Sequence, residues 1–380
     1  MAIDLYTGEY KLFRDSFRKY IEAELKPHYD RWEEDGLVPR EVWSKCGGNG
    51  FLCPWVGEEY GGSGADFGYS AIIIEELARN GTNVMFPLHS DIVVPYVESY
   101  GSADQKKKWL PGCVSGEIIA AVAMTEPNAG SDLAAISTTA VRDGDSFIIN
   151  GTKTFISGGH NCDIVVVACK TNPGADPPYT GLSLIVVEAG TPGFTKGPRL
   201  KKMGLKSQDT TELFFEDCRV PAGNLLGAEN AGFLCLMQKL QQERLVCAIG
   251  AQAGAEKMLK EALDYCANRN IFGRPVSKFQ HNAFKIVDMA TEIDLGRVFI
   301  DRLIEDHIEG RSVVKRVSMA KYWITEMANR VAYDCLQLYG GYGYMEEYPI
   351  SRDYRDIRVQ TIYAGSTEVM KSIIAKQMGL

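Results

Sequence analysis

The chain has 380 residues, which is more than one hydrophobic core supports and points to two or three packed domains. Hydrophobic residues make up 45% and charged residues 24%, a balance that excludes long disorder, collagen and a coiled-coil rod. Lys plus Arg number 41 against 49 Asp plus Glu, and the resulting net charge of −8 argues against nonspecific nucleic-acid binding.

Apolar residues recur at helical spacing from Leu12 to Leu25, and again through SAIIIEELARNG, where Gly81 supplies a stop. A third helix is expected over DIVVPYVESYG, with Pro95 at a kink or boundary. Residues 1–120 therefore read as an N-terminal helical domain. No run approaches the roughly 18 apolar residues of a membrane span. The acids in the opening MAIDLYTGEYKLFRD do not fit a signal peptide, so the expectation is a cytoplasmic protein.

The character changes over residues 121–232. DSFIINGTKTFISGG, DIVVVACK, TGLSLIVVEAG and TTELFFEDCRVP are short β-branched or aromatic runs parted by Gly, Asn, Asp and Pro. No helical segment separates them, which favours an antiparallel barrel or sandwich over a parallel doubly wound sheet. Residues 233–380 return to long helical patterns with few breakers, long enough to pack as a bundle. The expected fold class is mainly α with a central β domain. Ten Cys without a C-x-x-C pair, and five His without H-E-x-x-H, give no metal site.

Chemistry enters at AMTEPNAGSD, Ala123 to Asp132, a Gly- and Ser-containing loop in which Thr125 and Ser131 can donate to a phosphate or a planar cofactor. In TKTFISGG, Phe155 and Ser157 lie two apart on an expected strand and so share a face. NIFGRPVSKFQ, LQLYGGYGY and IYAGSTEVM follow. Singly, these read as a turn, a core aromatic, a surface Arg269 and a helix terminator at Gly340–Gly341. In this order and spacing they resemble the acyl-CoA dehydrogenase family over essentially the whole chain.

That resemblance implies an N-terminal helical domain, a middle β-barrel and a C-terminal four-helix bundle, with FAD between the last two. It also implies an acyl-CoA substrate, an electron-transfer flavoprotein as acceptor and a homotetramer. By position, Met124 and Thr125 resemble residues at the flavin ring and Ser131 one near the pyrophosphate and substrate. Phe155 stands where many members have Trp, and Ser157 where a hydroxyl lies near N5. Arg269 and Phe272 resemble a pair that reaches the FAD of a neighbouring subunit, and Gln337, Gly340 and Gly341 its adenosine and pyrophosphate contacts. Ser366 and Glu368 fall near the same cofactor, while Arg244, Tyr363 and Gly365 resemble substrate contacts.

The catalytic base is where the chain departs from the common pattern. Most members carry it as the Glu of Tyr-Glu-Gly-Thr, but here the motif reads Tyr363-Ala364-Gly365-Ser366. Isovaleryl and long-chain members place a Glu in the helix after the β domain, and Glu243-Arg244 occupies that position. A second acid, Asp91, falls on the helix that lines the acyl pocket in relatives. An acid in an apolar pocket is costly unless paired or protonated. Loss of the usual Glu together with an added pocket Asp resembles a branch of the family that oxidises alicyclic carboxyl-CoA thioesters. That resemblance implies, as the preferred expectation, 1,4-dehydrogenation of cyclohex-1-ene-1-carboxyl-CoA to the 1,5-diene, with Asp91 taking the C3 proton. The alternatives are α,β-dehydrogenation of a linear or branched acyl-CoA with Glu243 as base, and an inactive acyl-CoA-binding flavoprotein.

Overall fold

The computed structural model describes residues 5–380, in the order helices, strands, helices. The first block comprises α1 (Gly8–Tyr20), α2 (Lys26–Asp35), α3 (Arg40–Gly48), α4 (Phe67–Arg79), α5 (Val94–Tyr100) and α6 (Ala103–Ser115). A π-helical turn, Ile21–Leu25, runs α1 into α2, so the expected first helix extends well past Leu25. Asp66 caps α4 by accepting from the Gly68 amide at 2.8 Å, and α4 is buried along most of its length. It ends as expected, with Gly81 in the left-handed region.

The helix expected around Pro95 divides in two. A second π-helical turn, Leu88–Val93, leads directly into α5, and Pro95 falls in the first turn of α5. Because the helix is continuous there, the N–H that proline lacks leaves a carbonyl one turn back without its intrahelical donor.

Eight strands form one sheet: β1 (Ala120–Ala123), β2 (Thr139–Asp143), β3 (Ser146–Ser157), β4 (Ile164–Lys170), β5 (Leu182–Glu188), β6 (Phe194–Lys196), β7 (Thr210–Pro221) and β8 (Leu225–Leu226). The order is β6-β7-β3-β2-β4-β5-β8, with β1 paired to β4. The sheet is not wholly antiparallel, since β1 and the end of β2 run parallel to β4. Residues 124–163 separate β1 from β4 and supply the long connection that parallel pairing needs. β4 and β5 read as unbroken apolar runs because both their faces are covered. Val165, Val167, Ile185 and Val187 face a core within the sheet domain, while Val166, Ala168, Leu184 and Val186 pack with Tyr96, Val97 and Trp109 of α5 and α6.

The last block holds α7 (Gly232–Asn268), a two-stranded ribbon of β9 (Asn270–Ile271) and β10 (Arg274–Pro275), then α8 (Gln280–Ile308), α9 (Val314–Tyr339), α10 (Pro349–Ile357) and α11 (Thr367–Met378). The 37 residues of α7 make it about 55 Å long. It packs on α4, α8 and α9. Its start meets the sheet domain, where Gly232 lies so close to Leu182 and Ser183 that a Cβ would collide with their main chain.

Candidate active site

On the sheet domain, Met124, Thr125 and Ser157 are half-buried, and Ser131 is exposed on the loop that follows β1. Phe155 is 68% exposed, far from the core position that an aromatic in a strand ordinarily takes. The cause is a β-bulge. Lys153 pairs with Leu213 and Ile156 with Thr211, so Thr154 and Phe155 together oppose one residue of β7. Before the bulge, Phe147, Ile149 and Lys153 point inward. After it the phase reverses, Ile156 is inward, and Phe155 and Ser157 share the outer face. Phe155 adopts φ +58°, a left-handed conformation that costs a non-glycine residue free energy and concentrates at ligand sites.

A second set gathers beyond the far end of α7. Arg269, Gln337, Gly340 and Gly341 line one groove of about 730 Å³, with the Arg269 guanidinium over the Tyr342 ring at 5.4 Å. Phe272, on the ribbon turn, has φ +50° and is 94% exposed. Arg269 follows the far end of α7, whereas the start of α7 meets the sheet domain that carries the first set. Ser366 is the N-cap of α11, its hydroxyl accepting from the Val369 amide at 3.4 Å, and Glu368 is exposed in the first turn of that helix.

The acids form the third set. Glu243, on α7, is 5% exposed, and its Oε1 accepts from the Tyr96 hydroxyl at 2.7 Å. Burial pushes its carboxyl up to about 7, against the opposing pull of Tyr96 and of the neighbouring Arg244. Arg244 is itself buried, with Nε unpartnered. Asp91 lies in the second π-helical turn and is 1% exposed, so it neither faces solvent nor caps a turn. Among the described residues neither of its carboxylate oxygens has a hydrogen-bond partner; the Ser70 hydroxyl and Trp55 indole face it, but the indole N–H donates to the Ser90 carbonyl at 3.1 Å. Burial pushes this carboxyl up to about 7 as well. Gln242, the residue before Glu243, donates to the Asp91 carbonyl at 2.7 Å, so the two acids flank one seam between α7 and the π turn.

The loop after α10 closes the set. Tyr363 is 43% exposed, Ala364 takes φ +53° and Gly365 φ +95°. The buried Lys321 ammonium donates to the Gly365 carbonyl at 2.6 Å, fixing the loop to α9.

Comparison with known proteins shows the family. The acyl-CoA dehydrogenase N-terminal, middle and C-terminal domain families match residues 7–117, 121–218 and 230–379. The chain belongs to the acyl-CoA dehydrogenase family. It is 47% identical over 375 residues to the long-chain specific acyl-CoA dehydrogenase, mitochondrial, of Sus scrofa, covering 98% of this chain and 87% of that one. The structure of an acyl-CoA dehydrogenase from Geobacillus kaustophilus superposes with a TM-score of 0.97 at 59% identity, covering 99% of each chain. A chain in the structure of the electron transferring flavoprotein of Acidaminococcus fermentans superposes at 0.94 with 34% identity, covering 99% of each.

Acyl-CoA dehydrogenases are FAD-dependent oxidoreductases, and so is this protein. The residues present fit that cofactor. Phe155 offers an uncovered aromatic face with the Thr125 and Ser157 side chains nearby, suited to an isoalloxazine ring. Arg269 beside Gly340 and Gly341, where an added Cβ would meet nothing within 4 Å, suits a pyrophosphate. Among the described residues no helix is long and apolar enough to cross a membrane, and no group of His, Cys, Asp or Glu could hold a metal ion.

Sequence reasoning missed the supporting residues of this dehydrogenase: Tyr96, Ser70, Trp55, Gln242, Lys321, and the Glu126–Lys153 pair. Only Lys153 carried a signal, as a cation at an inward position of a strand.

Proposed function

We propose that the protein dehydrogenates a saturated linear or branched acyl-CoA thioester between Cα and Cβ, with Glu243 as the base. One observation carries this reading: a carboxylate buried on α7 is oriented by Tyr96 and held near neutral, while position 364 offers only a methyl group. The long-chain relative at 47% identity supports it. A base held near pH 7 keeps a usable ionised fraction and still gains from neutralisation as it takes the α-proton, because burial favours the protonated acid. Tyr96 keeps Oε1 directed. Bound FAD supplies the acceptor for the Cβ hydride. Arg244 places a cation beside the base, on the side expected to meet CoA.

A second reading retains Asp91 as a base for the vinylogous C3 proton of cyclohex-1-ene-1-carboxyl-CoA, with the hydride leaving from C6 to give the conjugated diene. The two unpartnered oxygens of Asp91 favour it. We also infer a homotetramer whose distal groove serves a neighbour's FAD, and an electron-transfer flavoprotein as acceptor. Flavin bleaching without oxygen separates the readings. The Glu243 account expects saturated acyl-CoAs to bleach the holoprotein fastest. Faster bleaching by the cyclohexene thioester would favour Asp91, and bleaching by none would favour an inactive flavoprotein.

A further inference from the structure

We propose that the buried Glu126–Lys153 pair positions the flavin, by clamping the Met124–Glu126 main chain from behind so that Thr125 meets the isoalloxazine ring in one fixed orientation. The inference rests on FAD dependence and is independent of which acid is the base.

Both charged groups of the clamp are hydrogen-bonded. Lys153 Nζ donates to the Met124 carbonyl at 3.0 Å and to Glu126 Oε1 at 2.8 Å. Glu126 Oε1 also accepts from the Thr138 amide at 3.0 Å, and Oε2 accepts from the Ser137 amide and hydroxyl, both at 2.7 Å. The Thr154 amide donates to the Thr125 carbonyl at 3.0 Å. Two successive carbonyls, of Met124 and Thr125, are thereby pinned toward β3.

The bulge completes the device. Strand alternation would put Lys153 and Phe155 on one face, but the extra residue sends Lys153 inward to the clamp and Phe155 outward. The same irregularity therefore fixes the ring wall and the hydroxyl-bearing loop relative to each other. Stability alone does not explain an ion pair here, since apolar residues of similar volume commonly match or exceed a buried pair. What an apolar pair would not supply is a donor for the Met124 carbonyl.

Holoprotein carrying Lys153→Met tests this, measured by FAD affinity, flavin absorption band and two-electron midpoint potential. We expect at least a tenfold loss of FAD affinity. We also expect a shifted band and a tenfold change in the ratio of affinities for oxidised and reduced flavin, which is about 30 mV. Ser137→Ala, which removes one hydroxyl from Glu126 at an exposed position, should move all three in the same direction by less. A lower melting midpoint with unchanged affinity, band and potential would overturn the proposal, because the pair would then serve the fold alone. If Lys153→Met does not fold, unchanged flavin properties in Ser137→Ala overturn it equally.

Discussion

At the scale of single residues, Asp91 and Glu243 share an unusual property, since burial raises both carboxyls to about 7. For such groups the folded state retains a proton that the unfolded chain has released, so stability falls as pH rises from about 4 to about 7. The shift on Asp91, from 3.8 to about 7, corresponds to on the order of 4 kcal/mol lost across that window. Asp91→Asn should remove this contribution, raising the melting midpoint at pH 8 relative to wild type and flattening its decline between pH 4 and pH 7. An identical pH dependence in the two proteins would mean that Asp91 is ionised in the fold and partnered.

At the scale of elements, the π turn that carries Asp91 is held by a histidine. His89 Nε2 donates to the Cys113 carbonyl at 2.9 Å, and its Nδ1 accepts from the Ala120 amide at 3.1 Å, so the ring is neutral and ties the turn to α6 and β1. Burial lowers its pKa to about 4, so its contribution is present above 6.5 and is lost as pH falls toward 4. His89→Gln keeps a donor and an acceptor without titrating, and its melting midpoint should fall less than wild type on acidification over that range. Elsewhere, Glu75 on α4 accepts from Arg14 of α1 at 2.8 Å, from Arg79 at 3.1 Å and from Arg297 of α8 at 2.5 Å, all within the fold. Glu75→Gln leaves these cations short of a charge and should cost about 3–5 kcal/mol by denaturant unfolding.

The same scale shows what was readable in the chain. β7 was legible end to end, because its flanks carry turn residues and it is a short run rich in β-branched and aromatic residues. α7, α8 and α9 were legible because long periodic patterns leave few alternatives. The π turns were not, since local sequence does not distinguish i→i+5 from i→i+4 bonding and the turn at Asp91 is held by distant partners, Cys113 and Ala120 through His89 and Gln242 at the Asp91 carbonyl. The short strands β1, β6 and β8 depend on partners distant in sequence. In the site, the resemblance named the candidate residues, but the outward face of Phe155 follows from a bulge that no two-residue alternation reveals.

For the whole molecule, the decisive feature is the 37-residue length of α7, whose start meets the sheet domain that carries Phe155 and whose far end leads into the Arg269 groove. If, as we propose, each groove serves a second copy's cofactor, flavin retention is coupled to assembly. Arg269→Ala should release FAD more readily and shift sedimentation toward smaller species, with both effects reduced at high protein concentration. A monomeric variant that retained FAD as wild type does would separate the groove from the cofactor.

The central claim is that Glu243 supplies the base that position 364 lacks. The direct measurement is the rate of flavin reduction after anaerobic rapid mixing with a saturated acyl-CoA, for wild type, Glu243→Gln and Asp91→Asn. The prediction is a fall of about 10²–10⁴-fold for Glu243→Gln with substrate affinity little changed, and a change of less than about tenfold for Asp91→Asn. Near-wild-type reduction by Glu243→Gln, with Asp91→Asn inactive, would contradict it.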